Sequence, residues 1–342
     1  MPAVQSGKVL VSGANGYIAV WLVKKLLDEG YSVRGTVRSA SKGVYLSKIF
    51  ASYGDKFELV VVEDITKDGA FDEAVKGVDA IEHTASPFHF KADDPNELII
   101  PAIHGTRSIL VSALKYGTNV KRVVITSSCA AVLDNYPEPR TFSEKDWNEG
   151  SSREVQEKGR EAAQPAKYRA SKTLAERAAW DFIKENKDQV KFDLAVINPP
   201  FVYGPVLHEV DKPEDLNTSA ADWFTTIVKA TKDDAALVAG GTEWVDVRDV
   251  ALAHVLALQK EEAGGERIIV SSGKWVWQDW VAAAHKIDPT LSAGNTAHDP
   301  ATAVYRIRYD VSKAARIFGI KYITLEQTTK DTLAQYKEKG WY

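Results

Sequence analysis

A single cysteine, Cys129, stands among 342 residues. One cysteine forms no intrachain disulfide, so the chain suits a reducing compartment. The opening MPAVQSGKVLVSG lacks a basic segment followed by a long apolar one, so no secretory signal is expected. No run approaches the roughly 18 apolar residues of a membrane helix. A net charge of −4 gives no electrostatic reason to expect nucleic acid or an anionic membrane as partner. There is no internal repeat and no low-complexity tract, and no metal site is expected. These absences leave a cytoplasmic globular protein with a small-molecule partner. Its 44% hydrophobic and 26% charged residues are ordinary globular usage. The length suits one large α/β domain with an elaboration, or two lobes.

Short β-branched runs alternate with helical patterns through the first two thirds. KVLVS (8–12), YSVRGTV (31–37), FELVVVE (57–63), DAIEHTA (79–85), RVVITSS (122–128) and FDLAVINP (192–199) read as strands. Amphipathic stretches fill most of the gaps, notably 96–116 and 168–187. The alternation implies a parallel sheet covered on both faces. After Pro199 the rhythm breaks at a long connection containing Pro and Gly (198–217). Helices are expected at 219–231, 247–260, 276–286 and 325–338, with short strands near 236–239 and 266–270. The polar stretch 148–165 reads as a loop. The expected division is 1–199 for a nucleotide-binding domain and 200–342 mainly for a smaller α/β substrate lobe, with some later segments returning to the main sheet.

The first strand runs into VSGANGYIAVWL, which spaces Gly13, Gly16 and Ala19 as G-x-x-G-x-x-A. Small residues there let backbone N–H groups approach a pyrophosphate at a helix N-terminus. After the second strand, an Asp or Glu usually serves the ribose of NAD. Here RGTVRSASK offers Arg38 and Lys42 and no acid, which suits the 2′-phosphate of NADP. Asp64 and Ile65, after the third strand, are candidates for the adenine. The hydroxyl-bearing HTASP (83–87) and TSSCA (126–130) end the fourth and fifth strands, where they can line a cofactor. His83 reads as a structural histidine, and Cys129 has no identifiable base to make it a nucleophile.

The stretch YRASKTLAERAAWDF (168–182) poses one oddity. At about 100° per residue, Tyr168, Lys172, Ala175, Ala179 and Phe182 share the inward stripe, with Arg169, Thr173 and Arg177 opposite. An inward lysine is costly unless it meets an acceptor or stabilises negative charge. One turn from a tyrosine, it is expected to favour the phenolate and lower that pKa, making Tyr168 a proton donor to a carbonyl oxygen. A serine hydroxyl would polarise the same oxygen; Ser127 and Ser128 are rivals for that role.

GANGYIA (13–19), TSS (126–128) and Tyr168-x-x-x-Lys172 together resemble the extended short-chain dehydrogenases/reductases. HTASPF (83–88), PAIHGT (101–106), INPPFVYGP (197–205) and WVDVRDVALAH (244–254) resemble the dihydroflavonol reductase-like branch, nearest to fungal methylglyoxal, aldehyde and ketone reductases. The resemblance implies a Rossmann-type doubly wound parallel sheet with NADP(H) as cofactor. It implies that Gly13, Ala14, Asn15, Gly16, Tyr17 and Ile18 form the pyrophosphate turn, and that Arg38 and Lys42 hold the 2′-phosphate. Asp64 and Ile65 would meet the adenine. Thr84, Ala85, Ser86, Val202 and Ser219 would lie along the cofactor, which Tyr168 and Lys172 would also touch. Ser128, Tyr168 and Lys172 would be catalytic. Phe88, Phe90, Tyr203 and Trp223 are candidate pocket walls. The implied reaction is NADPH-dependent reduction of an aldehyde or ketone by a monomer or homodimer. The longer substrate-recognition motifs of plant members are absent after Ser128, which speaks against CoA-thioester or flavonoid substrates. A nucleotide-sugar epimerase or dehydratase that keeps NAD bound, and a non-catalytic NADP-sensing regulator, are the rival readings.

Overall fold

The computed structural model describes residues 3–86 and 92–342. Phe88 and Phe90 lie outside the described residues. The strands are β1 (Lys8–Ser12), β2 (Ser32–Val37), β3 (Phe57–Val61), β4 (Ala80–His83), β5 (Arg122–Thr126), β6 (Arg140–Phe142), β7 (Asp193–Asn198), β8 (Phe201–Tyr203), β9 (Thr242–Asp246), β10 (Arg267–Ile269), β11 (Gly273–Trp275) and β12 (Ile307–Tyr309). The α-helices are α1 (Tyr17–Asp28), α2 (Val44–Ile49), α3 (Asn96–Tyr116), α4 (Glu149–Lys158), α5 (Gln164–Glu185), α6 (Thr218–Ile227), α7 (Asp234–Val238), α8 (Val247–Gln259), α9 (Trp277–Ile287), α10 (Ser312–Phe318) and α11 (Leu325–Glu338).

Seven strands form one parallel sheet in the order β3-β2-β1-β4-β5-β7-β10. Its direction of growth reverses between β1 and β4, as in a Rossmann-type doubly wound fold. Alternation along β1 sends Val9 and Val11 into one core, with residues of α1 and α8, and Leu10 into the other, with residues of α3 and α5. The near-continuous apolar strands are explained: both faces are covered. Helix α3 is the one described helix with the length and composition of a membrane span, yet over half of that stretch is buried inside the protein. It packs along α5.

After β7 the chain builds a small sheet, β8-β9-β11, in which β8 and β9 are parallel and β9 and β11 antiparallel. Aromatic rings fill its core: Trp280 meets Trp244, Trp223 and Tyr203 edge to face, at centroid distances of 4.7, 6.2 and 5.3 Å. Strand β10 leaves this region and joins the main sheet beside β7. A separate pair, β6-β12, lies parallel.

Two local expectations are corrected. The 148–165 stretch is not a loop: α4 occupies its first part, followed by a short turn and then α5. Asn148 caps α4 by accepting from the N–H of Ser151 at 2.9 Å, and Arg177 of α5 ion-pairs with Glu149. A helix with so few apolar residues shows no stripe in the sequence, because its stability comes from the cap and from its seat on α5. Near 236–239 the expected strand is the short helix α7, capped by Asp233, which accepts from Ala236 N–H at 2.8 Å.

Candidate active site

Parallel strands bring their carboxyl ends to one edge of a sheet, and ligands bind there where the strand order reverses. A cavity of about 770 Å³ opens at that edge, within the roughly 300–1,000 Å³ usual for ligand pockets. Gly13, Gly16, Tyr17 and Ile18 line it after β1, Thr84 and Ser86 after β4, and Ser127 and Ser128 after β5. Tyr168 and Lys172 face it from α5, Val202 and Tyr203 from β8, and Ser219 from α6.

The turn after β1 fits an anionic phosphate. Gly13 has φ +63°, and a Cβ there would lie 3.1 Å from that of Ala85. The N–H groups of Gly13 and Ala14 are tied to Thr36, at 3.0 Å to Oγ1 and 2.8 Å to the carbonyl. No side chain caps α1 and no acid occupies its first turn. The main-chain N–H groups of Tyr17 and Ile18, at the start of the helix, therefore lack intrahelical acceptors. The Tyr17 ring turns away into packing, and its hydroxyl donates to the Gly204 carbonyl at 2.9 Å. Ala14 and Asn15 shape the turn without lining the cavity.

Arg38 and Lys42 lie beyond the cavity, exposed. Asp64 accepts from the N–H and hydroxyl of Thr66, at 2.9 and 2.7 Å, and these bonds hold its carboxyl below the usual range, with a smaller push from Arg38. Ile65 packs towards Gly105 of α3. Ser12 organises the end of β4: its hydroxyl accepts from the N–H groups of Thr84 and Ala85, both at 3.0 Å, which leaves its proton for His83 Nδ1 at 2.9 Å. Burial, aided by the charge of Lys172, holds His83 neutral, with its pKa lowered to about 3. Ala85 is thus spent on the turn.

The adjacent serines are told apart by their partners. Ser127 donates to the buried Glu176 carboxylate at 2.5 Å. Ser128 accepts from Ala130 N–H at 3.1 Å and hydrogen-bonds the Tyr168 side chain. Burial pushes the Tyr168 phenol up to about 12, with the Ser128 bond opposing. The expected fall is corrected, because removal from water disfavours the phenolate more than the Ser128 bond favours it. Lys172 is itself pushed down to about 8 by burial, with Glu176 opposing. At neutral pH the phenol keeps its proton and has it available to donate.

Glu176 was not foreseen. Beyond Ser127 it accepts from Asn198 Nδ2 at 2.9 Å and from Arg267 Nε at 2.5 Å. Asn198 Nδ2 also reaches the Ser128 carbonyl at 3.2 Å, and the Arg267 guanidinium lies 3.6 Å from the Trp147 ring centroid. One carboxylate thus ties α5 to the turn after β5, to β7 and to β10. The sequence shows Glu176 only as one acid on a helix, and its partners are up to 91 residues away.

Of the proposed walls, Tyr203 lines the cavity, but Trp223 does not. Trp223 is buried edge-on between Trp280 and Tyr336, at 6.2 and 5.9 Å, and Ser219 and Asp222 of the same helix face the cavity instead. The unforeseen walls include Phe201, Trp275, Trp277 and Tyr309. The tryptophan-dense WVWQDW (275–280) was the one available signal. Arg169 also lines the cavity, although it was expected opposite the inward stripe. That opposite side is not free, because α4 lies along it and Thr173 is buried.

Comparison with known proteins agrees with this geometry. Residues 9–271 match the NAD dependent epimerase/dehydratase family. The NADPH-dependent methylglyoxal reductase GRE2 of Saccharomyces cerevisiae is 38% identical over 340 residues, 96% of this chain and 97% of the relative. The ketoreductase azaE of Aspergillus niger is 37% identical over 342 residues, 97% and 98% of the two chains. The crystal structure of yeast methylglyoxal/isovaleraldehyde reductase Gre2 complexed with NADPH superposes with a TM-score of 0.86 at 36% identity, covering 98% of this chain and 100% of that one.

Proposed function

This chain belongs to the NAD-dependent epimerase/dehydratase family, the extended short-chain dehydrogenases/reductases, and from that membership we propose that it reduces aldehydes and ketones with NADPH, substrates of methylglyoxal, diketone or keto-ester type. The observation that carries the reading is one cavity with the glycine turn and an uncapped helix start at one end and the hydrogen-bonded Ser128–Tyr168 pair, with Lys172, on its wall. The N–H groups of Tyr17 and Ile18 would hold the pyrophosphate, and Arg38 and Lys42 the 2′-phosphate. NADPH, when bound, supplies the hydride for the carbonyl carbon. Tyr168 donates its phenolic proton to the carbonyl oxygen and is reprotonated from solvent. Ser128 hydrogen-bonds that oxygen as its charge grows. Lys172 places a cation beside the phenol, which stabilises the phenolate left after transfer.

In this reading residues 1–199 hold the cofactor and 200–342 mainly shape the substrate side, in a cytoplasmic monomer or homodimer. The lack of an acid after β2, where Arg38 stands exposed, argues against an epimerase or dehydratase that retains NAD. The Tyr168–Lys172 pair argues against a regulator without chemistry, which has no use for it. The test is NADPH oxidation with methylglyoxal, diacetyl, simple aldehydes and β-keto esters. Turnover of some of these is expected. A folded, NADPH-binding protein inert to the whole panel would remove the reading.

A further inference from the structure

We propose that Arg169 forms an anion subsite in the cavity, and that the carbonyl substrate carries a carboxylate a few carbons from the group that is reduced. The proposal rests on the reductase reading and narrows its substrate class.

Arg169 follows Tyr168 in α5, so their Cα atoms lie about 3.8 Å apart, and both residues line the cavity. The position of the guanidinium is therefore set by the same rigid helix that sets the phenol. A guanidinium carries five N–H donors in a planar fork that matches a carboxylate in two parallel bonds. Among the described residues the Arg169 side chain makes one hydrogen bond, from Nη1 to the neutral amide oxygen of Asn135 at 3.0 Å. It has no ion pair there. Residues 1–2 and 87–91 contain no Asp or Glu that could supply one.

The carboxylates that act on Arg169 at longer range are committed elsewhere. Asp134 accepts from the N–H groups of Asn135 and Gly150, at 2.8 and 2.9 Å. Glu154 accepts from Ala163 N–H at 3.1 Å and pairs with Lys158 at 3.5 Å. Burial lowers the Arg169 pKa, the mark of a cation short of compensation. Elsewhere in the lining, Asp222 is paired with Lys232 at 3.0 Å. Among the described residues that line the cavity, Arg169 and Lys172 are thus the cations without an ion pair, and only Lys172 has a part in the proposed chemistry. Leu133, Ile307 and Tyr309 also line the cavity, and Tyr309 lies near enough to Arg169 to act on its charge. Such walls strengthen a charge-assisted bond by excluding water.

The test compares 2-oxohexanoate, 4-oxopentanoate and 5-oxohexanoate with their ethyl esters, under NADPH, in the wild type, Arg169→Met and Arg169→Lys. For at least one chain length the wild type should favour the acid over the ester by about tenfold or more in kcat/KM, the worth of a charged hydrogen-bonded pair. Arg169→Met should remove that ratio, and Arg169→Lys should keep part of it. Melting temperature and NADPH affinity check each variant. Should Arg169→Met fail to fold, the wild-type ratio and the lysine variant still decide. Preference for the ester at every chain length, or an equal loss on acid and ester in Arg169→Met, would overturn the subsite. No oxidation of NADPH by any acid or ester would overturn the subsite, and inertness to methylglyoxal, diacetyl, simple aldehydes and β-keto esters as well, with NADPH still bound, would overturn the reductase reading with it.

Discussion

At the scale of single residues, the most consequential feature is a lysine held where its charge is disfavoured. Lys172 titrates near 8 in the fold, against 10.5 for a free lysine. Below pH 8 it is charged in both the folded and unfolded states, and the native state bears the full cost of burial. Between 8 and 10.5 the folded protein binds fewer protons than the unfolded chain, so stability rises with pH and the cost is relieved. Lys172→Met should therefore raise the melting temperature of the cofactor-free protein at pH 7, and the gain should shrink as pH climbs from 8 to about 10.5. A gain that stays constant or grows over that range would show that the lysine carries no burial penalty. The variant should also be inactive, because a stabilised site of this kind loses the cation it was built around. The inward position of Tyr168 and Lys172 was legible from helical spacing alone. The direction of the tyrosine shift was not, because desolvation depends on what the rest of the chain packs around the phenol.

At the scale of elements, α5 is anchored by the Glu176 cluster, which ties it to the turn after β5 through Ser127 and to β7 and β10 through Asn198 and Arg267. Both members of the Glu176–Arg267 pair are buried, at 0% and 8% side-chain exposure. Breaking a buried pair by removing one partner strands the other charge, at a cost of roughly 3–5 kcal/mol. Glu176→Ala should lose about that much in urea denaturation, and Glu176→Leu with Arg267→Met should recover a good part of it. A loss under about 1 kcal/mol for the single variant would contradict the anchoring role. Elements with strong periodicity were readable: 96–116 and 325–338 coincide with α3 and α11. Helix α4 was not, because its polar face and its cap carry no apolar signal. Neither was the three-residue β8 or β11, whose pairing depends on strands far along the chain.

At the scale of the whole molecule, alternating strands and helices make the doubly wound sheet legible in the sequence. The second sheet was not, since short strands built into an aromatic core look like loop. One hydrophobic core runs from Val9 and Val11 of β1, through α1 and α8, to Trp244, Trp275 and Trp280 of the small sheet and α9. A continuous core unfolds as a unit, so tryptophan fluorescence and far-ultraviolet circular dichroism should report one coincident urea transition. Two separated transitions would mean that the regions on either side of residue 199 are energetically independent. The account as a whole turns on the proton that Tyr168 gives up, and single-turnover oxidation of bound NADPH by a carbonyl substrate in Tyr168→Phe measures it most directly. The rate should fall by about 10²–10⁴ relative to the wild type, with NADPH affinity retained. A rate near that of the wild type would mean that the proton comes from elsewhere.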